Sequence, residues 1–525
     1  MESFQLINAR IYTMDPRQPL AASLVCRGGK VEQVLAEDPL DSENPLDLDG
    51  RIVLPGLIDS HLHLRQYAET LQYINCETAT KEGCLKRVAK RAALTPPGEW
   101  IRGHGWNHNH WSNGYGTAVE LDQISPHNPV YLTGKSLHVS WANSAALKAA
   151  GITNQTPDPP NGALLRNENG EPAGIFFEEA VKLIEKIIPT PNVKTAAEGI
   201  RRAQEILWKM GLSGVHDFDR ELCYHALQYL SERGQLKLRV LKSISTKYLQ
   251  TAIELGLRTG FGNDWLWIGG VKGFADGALG PQTAAMLEPY EGSSSNKGRP
   301  LLTEEELLEL GIIAAQGGFS LAIHAIGDQA NQTVLNALEK IRVYEQEQGI
   351  NPLPHRIEHL QLIDPADIPR LAELNITASM QPIHATSDIE MADKYWGKRT
   401  AYSYASQLQF QQGAQVIFGS DAPVESPNPF WGIHAAVTRR KADGFPGPNG
   451  WHPELRVPLG KALEAYTIGP AAAGGKSNRQ GSLKPGCWAD LIVLEKDPFT
   501  CSEDELRELR PSATMISGEW VWRDF

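Results

Sequence analysis

The sequence predicts an α/β fold, a closed TIM-like barrel of parallel strands joined to a small β-domain built from both ends of the chain. Three observations carry this. Short apolar runs alternate with amphipathic helices through the middle, roughly the first and last 50 residues read as strands and turns, and 525 residues exceed one ordinary domain.

At the start, residues 4–11 alternate, 23–26 lead into the turn Arg27-Gly28-Gly29, and 30–35 follow as a strand. At the end, 489–494 form a strand, and 514–522 a hairpin turning at Ser517-Gly518. These segments predict a composite β-sandwich domain of residues 1–55 plus 476–525, the alternative being two unrelated β extensions.

Residues 56–475 hold the barrel. A helix over 195–210 places Ile200, Ala203, Ile206, Leu207 and Met210 on one face, and Gly211 stops it before a buried strand at 214–218. Further strands are expected at 268–274, 320–324, 356–359, 376–380 and 416–419, with helices at 304–316, 329–347 and 365–374 between them. Repeated strand–helix units imply a parallel sheet with right-handed crossovers, and this many in a row favour closure.

Residues 75–175 break the rhythm with Pro, Gly, Asn and Trp, and carry the run His104-Gly105-Trp106-Asn107-His108-Asn109-His110-Trp111. They read as an insertion near the barrel mouth that shapes the substrate site. The three histidines of the run read as a polar loop rather than a metal cluster. Residues 157–162 form a loop, and 292–298 a flexible loop suited to a lid.

Lys and Arg number 50 against 62 Asp and Glu, a formal charge of -12, which leaves no basic surplus for nucleic acid. No stretch of about 18 apolar residues supplies a membrane span, and the first residues lack the basic and apolar regions of a signal peptide. Six cysteines without a CxxC pair read as reduced thiols, so a cytoplasmic location is expected.

The chemistry centres on Leu54-Pro55-Gly56-Leu57-Ile58-Asp59-Ser60-His61-Leu62-His63. Alternate residues of a strand point the same way, so His61 and His63 can face one metal inside the barrel. His324, His359 and Asp421 end three later strands, and active sites of such barrels collect side chains from strand ends. Lys272 sits within another strand and has two readings. It pairs with Asp276 or Asp421, or burial lowers its pKa until the neutral amine adds carbon dioxide and becomes a bridging carbamate.

The motifs PGLIDSHLH, VKGFADGALG, HAIGDQA, RIEHLQ, ASMQP and FGSDAP together resemble the amidohydrolase superfamily, nearest the branch that includes N-substituted formamide deformylases. The resemblance runs nearly end to end. It implies a (β/α)8 barrel with a split β-sandwich, and His61, His63, Lys272, His324, His359 and Asp421 as the metal-site residues. Two divalent ions, zinc or a similar metal, would be bridged by carboxylated Lys272. His61, His63, Lys272 and Asp421 would hold the more buried ion, and His324 and His359 the more exposed one. A metal-activated hydroxide would hydrolyse a C–N bond of an amide or formamide, with Asp421 as base and then acid.

Trp106, His138 and His384 match segments that line the pocket in relatives, and Asp328 is expected to support a metal-binding histidine. Glu358, next to His359 on a strand, points the opposite way and falls outside the site. Trp106, Trp111, Tyr290 and Trp396 hint at a small-molecule substrate with an apolar substituent. Relatives often carry Ser, Arg and a basic residue where this chain has Ala278, Gln282 and Gln329, which bears on the substrate and not on the metal set. A homodimer is expected from the group. Two other readings stand beside this one. A deaminase-like mononuclear site would use His61, His63, His324 and Asp421, but HAIGDQA lacks the glutamate such members carry. A regulatory protein could also have kept the fold and lost the chemistry.

Overall fold

The computed structural model describes residues 3–38, 44–112, 114–137, 139–160, 162–189 and 191–525. His138 lies outside these residues. The chain divides into two compact units, one of residues up to Arg65 together with Ala197–Phe525, the other of Gln66–Ala196.

Eight strands of the first unit form one sheet in chain order: β1 (Leu57–Leu62), β2 (Leu212–Asp217), β3 (Arg239–Ser245), β4 (Leu266–Phe274), β5 (Leu321–Ala325), β6 (Arg356–His359), β7 (Thr377–Met380) and β8 (Val416–Phe418). Every neighbouring pair is parallel. Helices such as Glu221–Glu232, Glu304–Gln316 and Asp328–Glu347 connect them. The helix Glu304–Gln316 starts where Thr303 and Glu306 form a reciprocal capping box. The stretch expected as one helix at 365–374 is instead two short turns, Pro365–Asp367 and Arg370–Glu373, separated around Pro369.

The sheet closes on itself just beyond β8. The Asp421 N–H donates to His61 O at 2.7 Å, and the His63 N–H to Ala422 O at 2.8 Å. Gly419 makes this approach possible, because a Cβ there would stand 2.4 Å from the His61 nitrogen.

β3 was not among the strands expected, because its sequence includes Arg239 and Lys242. Both are buried and paired. Lys242 Nζ meets Asp217 Oδ2 at 2.9 Å. Arg239 makes a bidentate pair with Asp490, at 2.5 and 2.9 Å, and stacks on Trp488 at 3.5 Å. Since Asp490 immediately precedes the terminal strand Leu491–Leu494, this pair ties the barrel to the β-domain.

That β-domain is two sheets made from both termini. One runs Glu519–Arg523, Pro511–Ile516, Leu491–Leu494, Ile52–Pro55, Arg10–Tyr12, Leu20–Ala21, and the other Lys30–Leu35, Ser23–Arg27, Phe4–Ile7, Pro45–Asp47. Leu6 and Leu24 from the second sheet share a core with Ile11, Val53, Leu491, Val493 and Met515 from the first, so the two form a sandwich. The final hairpin turns at Ser517-Gly518, both with positive φ, the twist a two-residue hairpin turn needs.

The second unit has its own six-stranded sheet and its own core, in which Trp106, Trp111 and Trp141 pack with Leu121, Val130 and Leu132. It is wider than the 75–175 segment expected from composition. Its histidine run is no loop: it ends the strand Ile101–Trp106 and enters the short turn His108–His110. Among the described residues no helix is long and apolar enough to cross a membrane.

Candidate metal centre

The six barrel residues singled out from the sequence lie on strands or strand ends of the first unit. His61 lies near the end of β1 with its ring stacked on Phe218, the centroids 4.2 Å apart. His63, two residues on, faces the same side, and the Nε2 atoms of His61 and His63 stand 3.5 and 3.4 Å from Asp421 Oδ1. The His359 ring centre is 4.8 Å from that of His61 and 4.6 Å from that of His324. Nitrogen atoms of His61 and His359 and an oxygen of Asp421 all lie within 4.8 Å of one another, a spacing that suits a metal ion.

Local backbone explains how neighbours on one strand reach the same place. His359 has φ +77° and Leu360 +45°, so the chain leaves the extended conformation at the end of β6. The His359 ring is thereby brought beside His61 and His324, although Glu358 before it also points inward. Asp421, at φ +58°, leaves β8 in the same left-handed manner.

Hydrogen bonds fix which nitrogen of each ring is free. His61 Nδ1 lies 2.5 Å from Glu358 Oε2, so it carries the proton and leaves the Nε2 lone pair open. His359 Nδ1 donates to Gln381 Oε1 at 2.8 Å, again leaving Nε2. His324 Nε2 donates to the Gly277 carbonyl at 2.8 Å, which leaves Nδ1. All three rings are neutral. Burial, then the charge of Lys272, pushes His61 down to about 4 and His324 down to about 3. Burial, followed by His324 and His61, holds His359 well below its ordinary value. Asp421 is ionised: against the burial that raises it, the hydrogen bond from His63 holds it well below the usual carboxylate range.

Lys272 projects from β4 into this group. Its Nζ is buried without a hydrogen-bond partner among the described residues, 4.9 Å from the Phe218 ring centre and 5.0 Å from that of Phe274. Neither Asp276 nor Asp421 forms an ion pair with it. Burial lowers its pKa to about 8. Three neutral rings with open lone pairs, an ionised carboxylate and an unsatisfied amine form a donor set that fits divalent cations.

Other expected residues fall elsewhere. Asp328 accepts the N–H groups of Leu287 and Gln329, at 2.8 and 3.0 Å, and so holds a loop and a helix start. The carboxylate beside His324 is Asp276, 3.6 Å from Nε2, which also accepts three backbone N–H groups from Ala285, Ile326 and Gly327. Trp106 is a core residue of the second unit, 1% exposed, with its indole N–H on the Leu132 carbonyl. Trp111, Tyr290 and Trp396 are buried as well. His384 does stand near the centre, its ring parallel to that of His359 at 6.4 Å, with Nδ1 facing Gln361 and Nε2 buried without a hydrogen-bond partner among the described residues.

Glu358 is the residue sequence reasoning misplaced. It is fully buried, ion-paired with Arg356, and bonded to His61. Phe274, 49% exposed with its ring 5.2 Å from that of His324, had not been singled out at all. An apolar side chain that exposed, at the end of a barrel strand, was the only signal, and it becomes visible only with the fold.

A family model described as the amidohydrolase family matches residues 46–522. The protein LONG AFTER FAR-RED 3 of Arabidopsis thaliana is 33% identical over 98% of this chain and 91% of its own length. The N-substituted formamide deformylase of Arthrobacter pascens is 29% identical over 99% of this chain and 98% of its own. Among solved structures, an uncharacterized metal-dependent hydrolase from Pyrococcus horikoshii superposes with a TM-score of 0.79 at 29% identity, covering 96% of this chain and 99% of the other.

Proposed function

Because the chain belongs to the amidohydrolase family, we propose that it hydrolyses an amide- or formamide-type C–N bond of a small molecule with two divalent ions, zinc in the first instance. The ions would be held by His61, His63, Lys272, His324, His359 and Asp421. The observation that carries this reading is the set of fixed protons. His61, His324 and His359 each tie one ring nitrogen to a built acceptor and leave the other open. The likeness to the formamide deformylase favours a formamide among amide substrates.

Bound divalent ions supply Lewis acidity, which brings the pKa of water towards neutrality and polarises a carbonyl. Lys272, buried and lowered to about 8, keeps a fraction of neutral amine near neutral pH. That amine could add to carbon dioxide and lose a proton, and the resulting carbamate would offer its oxygens as metal ligands. Asp421 is the proton carrier: its ionised carboxylate takes a proton from the attacking water and returns it to the departing nitrogen. Phe274 offers an exposed apolar face beside His324 for the nitrogen substituent, a role the buried tryptophans do not fill.

The test is hydrolysis by the zinc-loaded chain of N-substituted formamides and other amides (read as amine release), cyclic imides (read as ring opening to the acid) and carboxylic esters (read as alcohol release). Release from formamides or amides supports the reading. Ester cleavage alone, or silence across the panel with metal fully loaded, overturns it.

A further inference from the structure

We propose that Glu358, clamped by Arg356, is a positioning residue that sets the tautomer of His61 and thereby the affinity of the centre for metal. The inference rests on the metal-site reading above and goes beyond the residues that reading uses. Glu358 is 0% exposed and sits on β6 one residue before His359. One carboxylate oxygen, Oε2, lies 2.5 Å from His61 Nδ1 and accepts Arg356 Nη2 at 3.1 Å. The other, Oε1, is ion-paired with Arg356 Nε.

Arg356 is itself immobilised. Its Nη2 also donates to the Ser60 carbonyl at 2.7 Å and to Ser379 Oγ at 2.8 Å, and its Nη1 to His216 Nδ1 at 2.9 Å. The guanidinium thus touches β1, β2 and β7 while gripping a carboxylate on β6. Such a clamp leaves Glu358 one remaining task, because Arg356 lies against both oxygens and, among the described residues, a single hydrogen bond reaches outward, to His61. An acceptor at Nδ1 holds the imidazole proton there, turns the ring, and presents the Nε2 lone pair towards Asp421. A buried Arg–Glu pair is poor evidence of stabilisation by itself, since desolvation offsets much of the attraction. One whose carboxylate ends on a metal-type histidine has a positional reason to exist.

The readouts need no substrate, so they succeed or fail independently of the proposed hydrolysis. Zinc affinity is measured by chelator competition on the full chain and on Glu358→Gln, which keeps the shape and removes the charged acceptor. About 10- to 100-fold weaker zinc binding is expected, together with a changed visible spectrum of the cobalt-loaded protein. Affinity within about twofold of the parent, with an unchanged cobalt spectrum, overturns the proposal. A second measurement does not depend on Glu358→Gln. In the metal-free parent carrying 15N-histidine, the ring signals lost in His61→Asn should report a proton on Nδ1, and a proton on Nε2 overturns the proposal.

Discussion

Asp59 and Ser420 meet across the seam that closes the barrel, the Ser420 hydroxyl donating to Asp59 Oδ2 at 2.5 Å. Asp59 Oδ1 accepts the N–H groups of Ser420 and His61, at 3.1 and 3.0 Å. One buried carboxyl therefore fixes the backbone on both sides of the position where His61 and Asp421 converge. Removing the hydroxyl with Ser420→Ala leaves Asp59 Oδ2 without its donor, at a cost of about 1–3 kcal/mol. A lower thermal midpoint of the metal-free protein is expected, and an unchanged midpoint contradicts the role given to the seam.

Gly419 tests the same seam sterically. In Gly419→Ala the new Cβ would meet the His61 nitrogen at 2.4 Å and a Asp59 oxygen at 2.9 Å, so β1 and β8 must separate. Overpacking of this kind costs about 1–3 kcal/mol or more. Loss of bound zinc should accompany the lower midpoint, because His61 and Asp421 part with their strands. A variant with full zinc content contradicts the account.

The pH dependence can be separated by group. Burial, then Arg507 and Arg440, pushes His434 down to about 4. Between pH 6.5 and 4 the unfolded chain binds a proton there that the folded chain refuses, so stability is lost as pH falls through that window. Asp59 and Asp276, raised to about 7 by burial, act in the opposite sense over part of the same range, so the informative quantity is a difference. Relative to the parent, His434→Gln should gain in thermal midpoint as pH falls from 6.5 to 4. A difference that does not vary with pH contradicts the assignment.

Asp421→Asn removes the proposed proton carrier while keeping its shape. Turnover of an active amide or formamide should fall about 10²- to 10⁴-fold, the usual worth of a positioned acid–base group. Steady-state kinetics on metal-saturated protein check this, and a loss under about tenfold excludes Asp421 as the proton carrier.

Much of this was legible in the chain itself, for physical reasons that can be named. Barrel strands that bury both faces are near-continuous apolar runs, so β5 and β8 announce themselves. β3 hides because Arg239 and Lys242 find partners in Asp490 and Asp217, distant in sequence. Apart from Lys272, the metal-type residues lie at or just beyond strand ends and are readable from that position. Their supports are not: Glu358 seemed excluded by strand alternation, which fails where His359 turns to positive φ. Asp328 follows His324 by four residues in one motif whereas Asp276 belongs to another, and only the fold shows that Asp276 is the one beside the ring. Trp106 reads as a pocket residue in a polar run, yet it belongs to a separate apolar core that its neighbours in sequence do not reveal.

The central claim, that six side chains of one barrel gather two cations, is tested most directly by counting metal. The full chain, loaded with zinc in the presence of bicarbonate and freed of excess, should carry close to two ions, and Lys272→Ala one or fewer. A parent chain that saturates at one ion, with the same value after Lys272→Ala, would contradict it.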